Sequence, residues 1–138
     1  MVKLPNKAKF MHNFSRCNNW EEKYLYLIEL GGQLPPFVGG IRHNAHLIAG
    51  CQSSVWILMV FDEHGNIKMH GDSDAAIVKG LIAVLFIIYQ GMTPAEIINY
   101  DVQLFLEKLA LTTHLTLFRA QGLEAMVRDI RAQAAAQL

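Results

Sequence analysis

The unbroken apolar run from Leu81 to Tyr89 constrains this chain more than any other feature. It falls well short of the ~20 residues a bilayer-crossing helix requires, and Lys79 and Gly80 stop its extension backward. With no polar face to offer solvent, it predicts a helix buried on nearly all sides and therefore central to a core. The helix is expected from Asp74 to about Gln90, capped by Ser73 or Asp72 and ended by Gly91. A chain of 138 residues supports one such core rather than two, so residues 1–138 are expected to form a single domain. Hydrophobic residues at 52% against 17% charged place the chain among folded proteins, because a disordered chain is too polar to offset its ordering entropy.

Around that helix the remaining periodicities are shorter. Pro5 suits a first helical turn, and Phe10, Met11 and Phe14 follow at helical spacing up to a break at Asn18 and Asn19. Asn19 and Glu22 make a capping-box pattern, after which Trp20, Tyr24, Leu27 and Ile28 share one face of a helix running to Gly31 and Gly32. Ser53 to Phe61 is rich in β-branched and aromatic residues, His64-Gly65-Asn66 follows, and Ile67 to His70 alternates weakly, which predicts a β-hairpin. Thr93-Pro94 with Glu96 starts another helix through Ile97, Ile98 and Tyr100, and a short one holds Phe105, Leu106 and Leu109. Leu123, Met126, Val127 and Ile130 recur at helical spacing with Arg128, Asp129 and Arg131 opposite, so an amphipathic helix closes the chain before an Ala/Gln-rich tail. The fold class is α+β, a small antiparallel β-sheet packed against several helices.

Twelve basic residues balance twelve acidic ones, which removes the electrostatic footprint that a phosphate backbone or an anionic membrane demands. Neither nucleic acid nor membrane is an expected partner. The N-terminus shows no apolar stretch followed by a small-residue cleavage site, so the protein is expected in the cytoplasm. There Cys17 and Cys51 are expected as free thiols, since the cytosol keeps thiols reduced.

Gln33 to Gly50 is the longest irregular stretch, broken by Pro35, Pro36, Gly39 and Gly40. Long loops inside compact domains are disproportionately functional. This one ends on Gly50-Cys51-Gln52-Ser53, where glycine and small polar neighbours leave a thiol reachable. A thiolate is the nucleophile in sulfur exchange and is favoured by nearby positive charge, which Arg42, His43 and His46 could supply. The plain alternative is a buried cysteine at a strand start, the reading preferred for Cys17 near the end of the first helix. The histidines match no zinc spacing, and no motif singles out a histidine base for a cysteine hydrolase. Asp72 and Asp74 are explained by capping and the helix dipole. Arg119, at the start of the last helix where a cation is unfavourable, points to a partner or anion contact.

Three runs in order closely resemble the SufE family of sulfur acceptors: Gly50-Cys51-Gln52-Ser53-Ser54-Val55-Trp56, Gly71-Asp72-Ser73-Asp74-Ala75-Ala76-Ile77-Val78-Lys79-Gly80-Leu81, and Gly122-Leu123-Glu124-Ala125-Met126. The likeness extends to Asn19-Trp20-Glu21-Glu22-Lys23-Tyr24-Leu25-Tyr26 and so spans almost the whole chain. One departure is His46, where family members often carry asparagine.

The resemblance implies a fold shared with IscU-type scaffolds and docking to the cysteine desulfurase SufS, with Cys51 as the persulfide-forming residue. It implies stimulation of that desulfurase and relay of sulfur to the SufBCD complex for iron–sulfur cluster assembly. No cofactor is then expected on this chain, pyridoxal phosphate belonging to the desulfurase, and no metal. The chain would be a sulfur-transfer protein and activator rather than a stand-alone enzyme, with a homodimer as a candidate assembly. Gly50, Gln52, Ser53, Asp74 and Arg119 are the residues assigned to loop support or the partner surface. Two alternatives stand beside this reading: a paralogous acceptor serving a different desulfurase, and an iron–sulfur scaffold, for which Cys51 lacks further thiolates at ligand spacing.

Overall fold

The structure is a computed structural model that describes residues 4–35, 40, 42, 46–50, 53–65, 67–115 and 117–138. The described elements are α1 (Lys7–Ser15), α2 (Trp20–Gly31), β1 (Val55–Phe61), β2 (Ile67–Ser73), α3 (Ala76–Tyr89), α4 (Pro94–Asn99), α5 (Val102–Lys108), α6 (Leu111–His114) and α7 (Leu117–Ala135). The α+β class expected from the sequence is what the chain adopts. No helix among the described residues is long and apolar enough to cross a membrane.

The apolar run becomes α3, whose residues Ile77, Val78 and Gly80 through Tyr89 are all buried. It can be apolar on every side because α1, α2, β2 and α7 all pack against it. Its start differs from expectation. Asp72 and Ser73 are the last residues of β2, paired with Trp56 and Val55, and the N-cap is Ala75 with no side-chain hydrogen bond. Ser73 still serves the helix entrance: its hydroxyl accepts from the Ala75 N–H at 3.2 Å and donates to the Ser54 carbonyl at 2.7 Å. Helix α2 crosses α3 where Gly31 meets Gly80, and a Cβ built on Gly80 would lie 2.2 Å from the Leu27 carbonyl oxygen.

The hairpin pairs β1 with β2 in antiparallel register from Val55↔Ser73 to Phe61↔Ile67. Val55, Ile57 and Met59 point into the core, the period-2 alternation of a half-buried strand. On the far edge of β1 the Gln133 carboxamide of α7 stands in for a neighbouring strand. Its oxygen accepts from the Met59 N–H at 2.9 Å and its nitrogen donates to the Ile57 carbonyl at 3.1 Å, so two edge groups are satisfied by one side chain.

Several caps follow the sequence and others correct it. Thr93 and Glu96 form the expected capping box of α4. Asn19 caps α2 through the Glu22 N–H, but Glu22 reaches back to the Asn18 N–H rather than closing the box on Asn19. Asn6 caps α1, which leaves Pro5 just outside the helix rather than in its first turn, and α1 ends at Ser15. In α2 the inward residues are Leu27, Leu30 and Gly31, while Tyr24 faces outward, 36% exposed. Helix α6, preceded by Ala110 at φ +57°, has no counterpart in the sequence expectation.

Tyr89 is fully buried, and among the described residues its hydroxyl has no hydrogen-bond partner. Burial pushes its pKa up to about 12. Tyr89→Phe is therefore expected to leave stability at neutral pH unchanged or raise it by up to about 1 kcal/mol, because an unsatisfied buried group is removed. A folded pKa above the ordinary 10.0 means that stability is intact below pH 10 and is lost as pH rises through about 12. The phenylalanine variant should lack this alkaline loss, as read from urea unfolding at neutral pH and at about pH 11. A clearly less stable variant at neutral pH would contradict this.

Candidate functional site

Cys51 and Gln52 lie outside the described residues, so the site is built from the chain on either side of them. Leu47 makes an isolated antiparallel bridge with Trp56, and the Ile48 N–H donates to the Val55 carbonyl at 2.8 Å. This narrow stem extends the hairpin by one short strand and gathers the two ends of the segment Ala49–Ser54. The Ser54 carbonyl accepts from the Ser73 hydroxyl at 2.7 Å and from the Asp74 N–H at 3.4 Å. The exit from the segment is thereby tied to the turn between β2 and α3.

Gly50 holds φ at +91°, a left-handed conformation that costs a non-glycine residue roughly 1 kcal/mol. Space is not the constraint, since an added Cβ would sit 3.5 Å from the Ala125 Cβ and 4.0 Å from Arg128 Nη2, both on α7. Glycine is present here for its backbone. The contact also places the Arg128 guanidinium beside the residue preceding Cys51. Arg128 is exposed and makes no hydrogen bond or ion pair among the described residues. It borders a cleft of about 700 Å³ whose walls include Tyr100 of α4's C-cap, Leu106 of α5 and Leu123 of α7. The sequence placed Arg128 on a solvent face and gave no signal for its position beside Gly50.

Of the upstream cations considered for the thiol, His43 lies outside the described residues and His46 is half-buried. Arg42 is engaged elsewhere. Its Nε donates to Asp72 Oδ2 at 2.9 Å, its Nη2 to the Ser73 carbonyl at 3.3 Å, and its guanidinium lies 4.8 Å from the centre of the Trp56 ring. Lys79 adds a second cation 3.8 Å from Asp72 Oδ1. Burial would raise the Asp72 pKa, but the hydrogen bonds from Arg42 and the Ser73 N–H, with the charges of Arg42 and Lys79, outweigh it and hold the carboxyl below its ordinary 3.8. These interactions are in place above that range and are lost as pH falls through the depressed value.

The remaining assigned residues divide. Ser53 is half-buried at the segment's exit, and Asp74 is exposed, with its backbone N–H donating to the carbonyl of the next residue, Ser54. Asp72 and Asp74, expected as helix caps, serve instead as an ion-pair partner and a turn residue. Arg119 is not brought to this cluster: it lies in the first turn of α7 and donates to the Tyr24 hydroxyl at 2.7 Å. It precedes Ala125 by six positions, about 9 Å along the helix and on a different face. Its cation at a helix start, read from sequence as a sign of a partner or anion contact, also has this partner within the chain. Cys17 is a half-buried free thiol whose sulfur lies 3.6 Å from the Asn13 carbonyl. Among the described residues no three His, Cys, Asp or Glu side chains converge as metal ligands.

Comparison with known proteins adds two findings. The family profile for SufE, described as an Fe-S metabolism associated domain, matches residues 8–134. The solution structure of a hypothetical protein from Thermus thermophilus superposes with a TM-score of 0.76 over 98% of this chain and 97% of that one, at 20% identity. That likeness is one of fold.

Proposed function

This chain belongs to the SufE family and to the iron–sulfur metabolism with which that family is associated, and from that premise we propose that it accepts sulfur on Cys51 from the cysteine desulfurase SufS. The observation that supports the reading most directly is the short stem around Cys51. Leu47, Ile48, Val55 and Trp56 hold its two sides, and Gly50 turns between them. A rigid scaffold that gathers the two ends of a brief segment is suited to offering one side chain to another protein.

In the proposed step the Cys51 thiolate attacks the outer sulfur of the desulfurase's cysteine persulfide. A new S–S bond forms to Cys51, the donor's S–S bond breaks, and the donor cysteine departs as a thiolate. Cys51 then carries the persulfide to the SufBCD complex, whose acceptor thiolate repeats the exchange. Positive charge near the loop favours the thiolate, and Arg128, which lies beside Gly50, is the cation we assign to that role. Pyridoxal phosphate stays on the desulfurase, the setting is cytoplasmic, and Asp74 and Arg119 belong to the surface that meets a partner.

The test is desulfurase turnover with cysteine as substrate. With an excess of a dithiol reductant present to clear the persulfide from Cys51 as sulfide, adding this chain is expected to raise alanine formation and sulfide release several-fold, because an acceptor that removes the persulfide frees the donor cysteine for another cycle. Unchanged turnover across a range of chain concentrations would overturn the proposal.

A further inference from the structure

The cleft between α7 and the chain from Asn99 to α5, about 700 Å³ in volume, has no part in the proposed sulfur transfer. Its α7 wall is one face of that helix, on which Leu123, Val127 and Arg131 recur with Glu124 and Arg128 beside them. Buried Leu106 and Leu123, with half-buried Val127, form its apolar part. Two of the charged side chains around that part are already employed. Arg131 donates to the Ile98 carbonyl, and the Asp101 carboxylate accepts from the Leu104 N–H at 3.1 Å as the cap of α5. Glu124 and Arg128 are not. Glutamate four residues before a cation is the order in which a helical ion pair forms most readily, yet among the described residues neither has a hydrogen bond or an ion pair. Both are exposed at the border of an apolar surface, one turn apart.

We infer that this cleft binds a free α-amino acid with an apolar side chain: its carboxylate on Arg128, its ammonium on Glu124, its side chain against Leu106, Leu123 and Val127. The charges of the cleft decide the class. A simple anion on Arg128 would meet the Glu124 carboxylate, and a simple cation on Glu124 would meet the Arg128 guanidinium. A dipolar ligand satisfies both, and an α-amino acid carries its two charges on one carbon, close enough to bridge groups about 6 Å apart along the helix. Arg128 has donors to spare, since Nη2 is the nitrogen nearest Gly50 and a guanidinium has five N–H groups. At the opposite wall the Tyr100 hydroxyl accepts from Lys7 Nζ at 2.7 Å and keeps its own hydrogen to donate. The volume falls in the range of small-molecule sites, roughly 300–1,000 Å³. It exceeds that of one amino acid, so side chains as different as those of leucine, methionine and phenylalanine should be accepted alike. The site stands on α7, α5 and the chain between α4 and α5, and it does not require Cys51 to accept sulfur.

The experiment titrates the full chain with L-leucine at low salt and follows its assigned backbone amide NMR resonances. Those of α7 from Leu123 to Arg131 and of Gln103 and Leu106 are expected to shift saturably, with a dissociation constant of roughly 1–10 mM. Isocaproate, which lacks the ammonium, isoamylamine, which lacks the carboxylate, and glycine, which lacks the side chain, should each bind about fivefold or more weakly than leucine. Two variants assign the charges. Arg128→Gln should weaken leucine by roughly five- to tenfold and leave isoamylamine unchanged, and Glu124→Gln should weaken leucine by a similar factor and not weaken isocaproate. Both residues are exposed, so the amide spectra of the variants are expected to match the parent's outside the cleft. No saturable shift with leucine in the millimolar range would overturn the inference. So would isocaproate or isoamylamine binding as tightly as leucine, or leucine binding that neither variant weakens. None of these measurements involves a desulfurase, so failure of sulfur transfer and failure of the ligand site are read separately.

Discussion

Gly80→Ala is expected to destabilise the protein by at least about 3 kcal/mol, beyond the usual range for an extra methyl group. The added Cβ would fall 2.2 Å from the Leu27 carbonyl oxygen and 2.6 Å from the Leu27 carbonyl carbon. Both atoms are backbone of a helix and cannot step aside as the end of a flexible side chain could. Helices α2 and α3 would have to separate along their crossing, and the gap would run beside Leu81 and Leu30, both almost fully buried. Against total stabilities of about 5–15 kcal/mol such a loss removes a large part of the folded population's margin, a drop of roughly 10 °C in melting temperature. Gly32→Ala provides the comparison: Gly32 is the C-cap of α2 with helical backbone angles, its nearest neighbour is the Glu29 carbonyl oxygen at 3.3 Å, and the substitution should change stability by less than about 1 kcal/mol. Equal urea midpoints for the two variants would refute this picture of the crossing.

Cys51→Ser should abolish sulfur acceptance and stimulation of the desulfurase, a fall of roughly a hundredfold or more, while the fold stays intact. Serine keeps the shape and the small polar character of the site. Its hydroxyl does not ionise near neutral pH and cannot take a sulfane sulfur by thiol–disulfide exchange. Cys17→Ser is expected to retain acceptance, since Cys17 sits on the turn after α1 with its sulfur against the Asn13 carbonyl. Parallel desulfurase assays with the two variants distinguish a requirement for one particular thiol from a general need for thiols. Loss in both would point to a different use of the cysteines.

The parts of the fold legible in the sequence are those whose signal is local. The Leu81 to Tyr89 run announced α3 because full burial leaves no polar positions to blur the pattern, and Thr93-Pro94 with Glu96 announced α4 because a capping box is complete within four residues. The strand β2 was read short because Gly71, Asp72 and Ser73 are turn-forming residues; their strand conformation comes from pairing with Trp56, Val55 and Ile57. Gly71 is needed there, since a Cβ would lie 2.6 Å from Ile82 Cγ2. Gln133 stood in an Ala/Gln-rich tail with no pattern of its own, yet it satisfies the edge of β1 across 74 residues of sequence. Such contacts depend on tertiary placement and leave no periodicity.

The site divides in the same way. The proposed reactive motif is visible because its residues are contiguous from Gly50 to Ser53, whereas the contact cluster of Arg42, Trp56, Asp72 and Ser73 is assembled from distant positions. Arg42 was expected to lend charge to the thiol, but its charge is directed to Asp72. Arg128, which reached the segment through the packing of α7 on Gly50, was legible only as a polar position on a helix.

The most direct measurement is the intact mass of the chain after it is mixed with persulfide-loaded desulfurase and no free cysteine, followed by peptide mapping. The chain should gain one sulfur atom, found on the peptide carrying Cys51, with the same gain in Cys17→Ser and none in Cys51→Ser. A chain that gains no sulfur, or gains it on Cys17, would contradict the account.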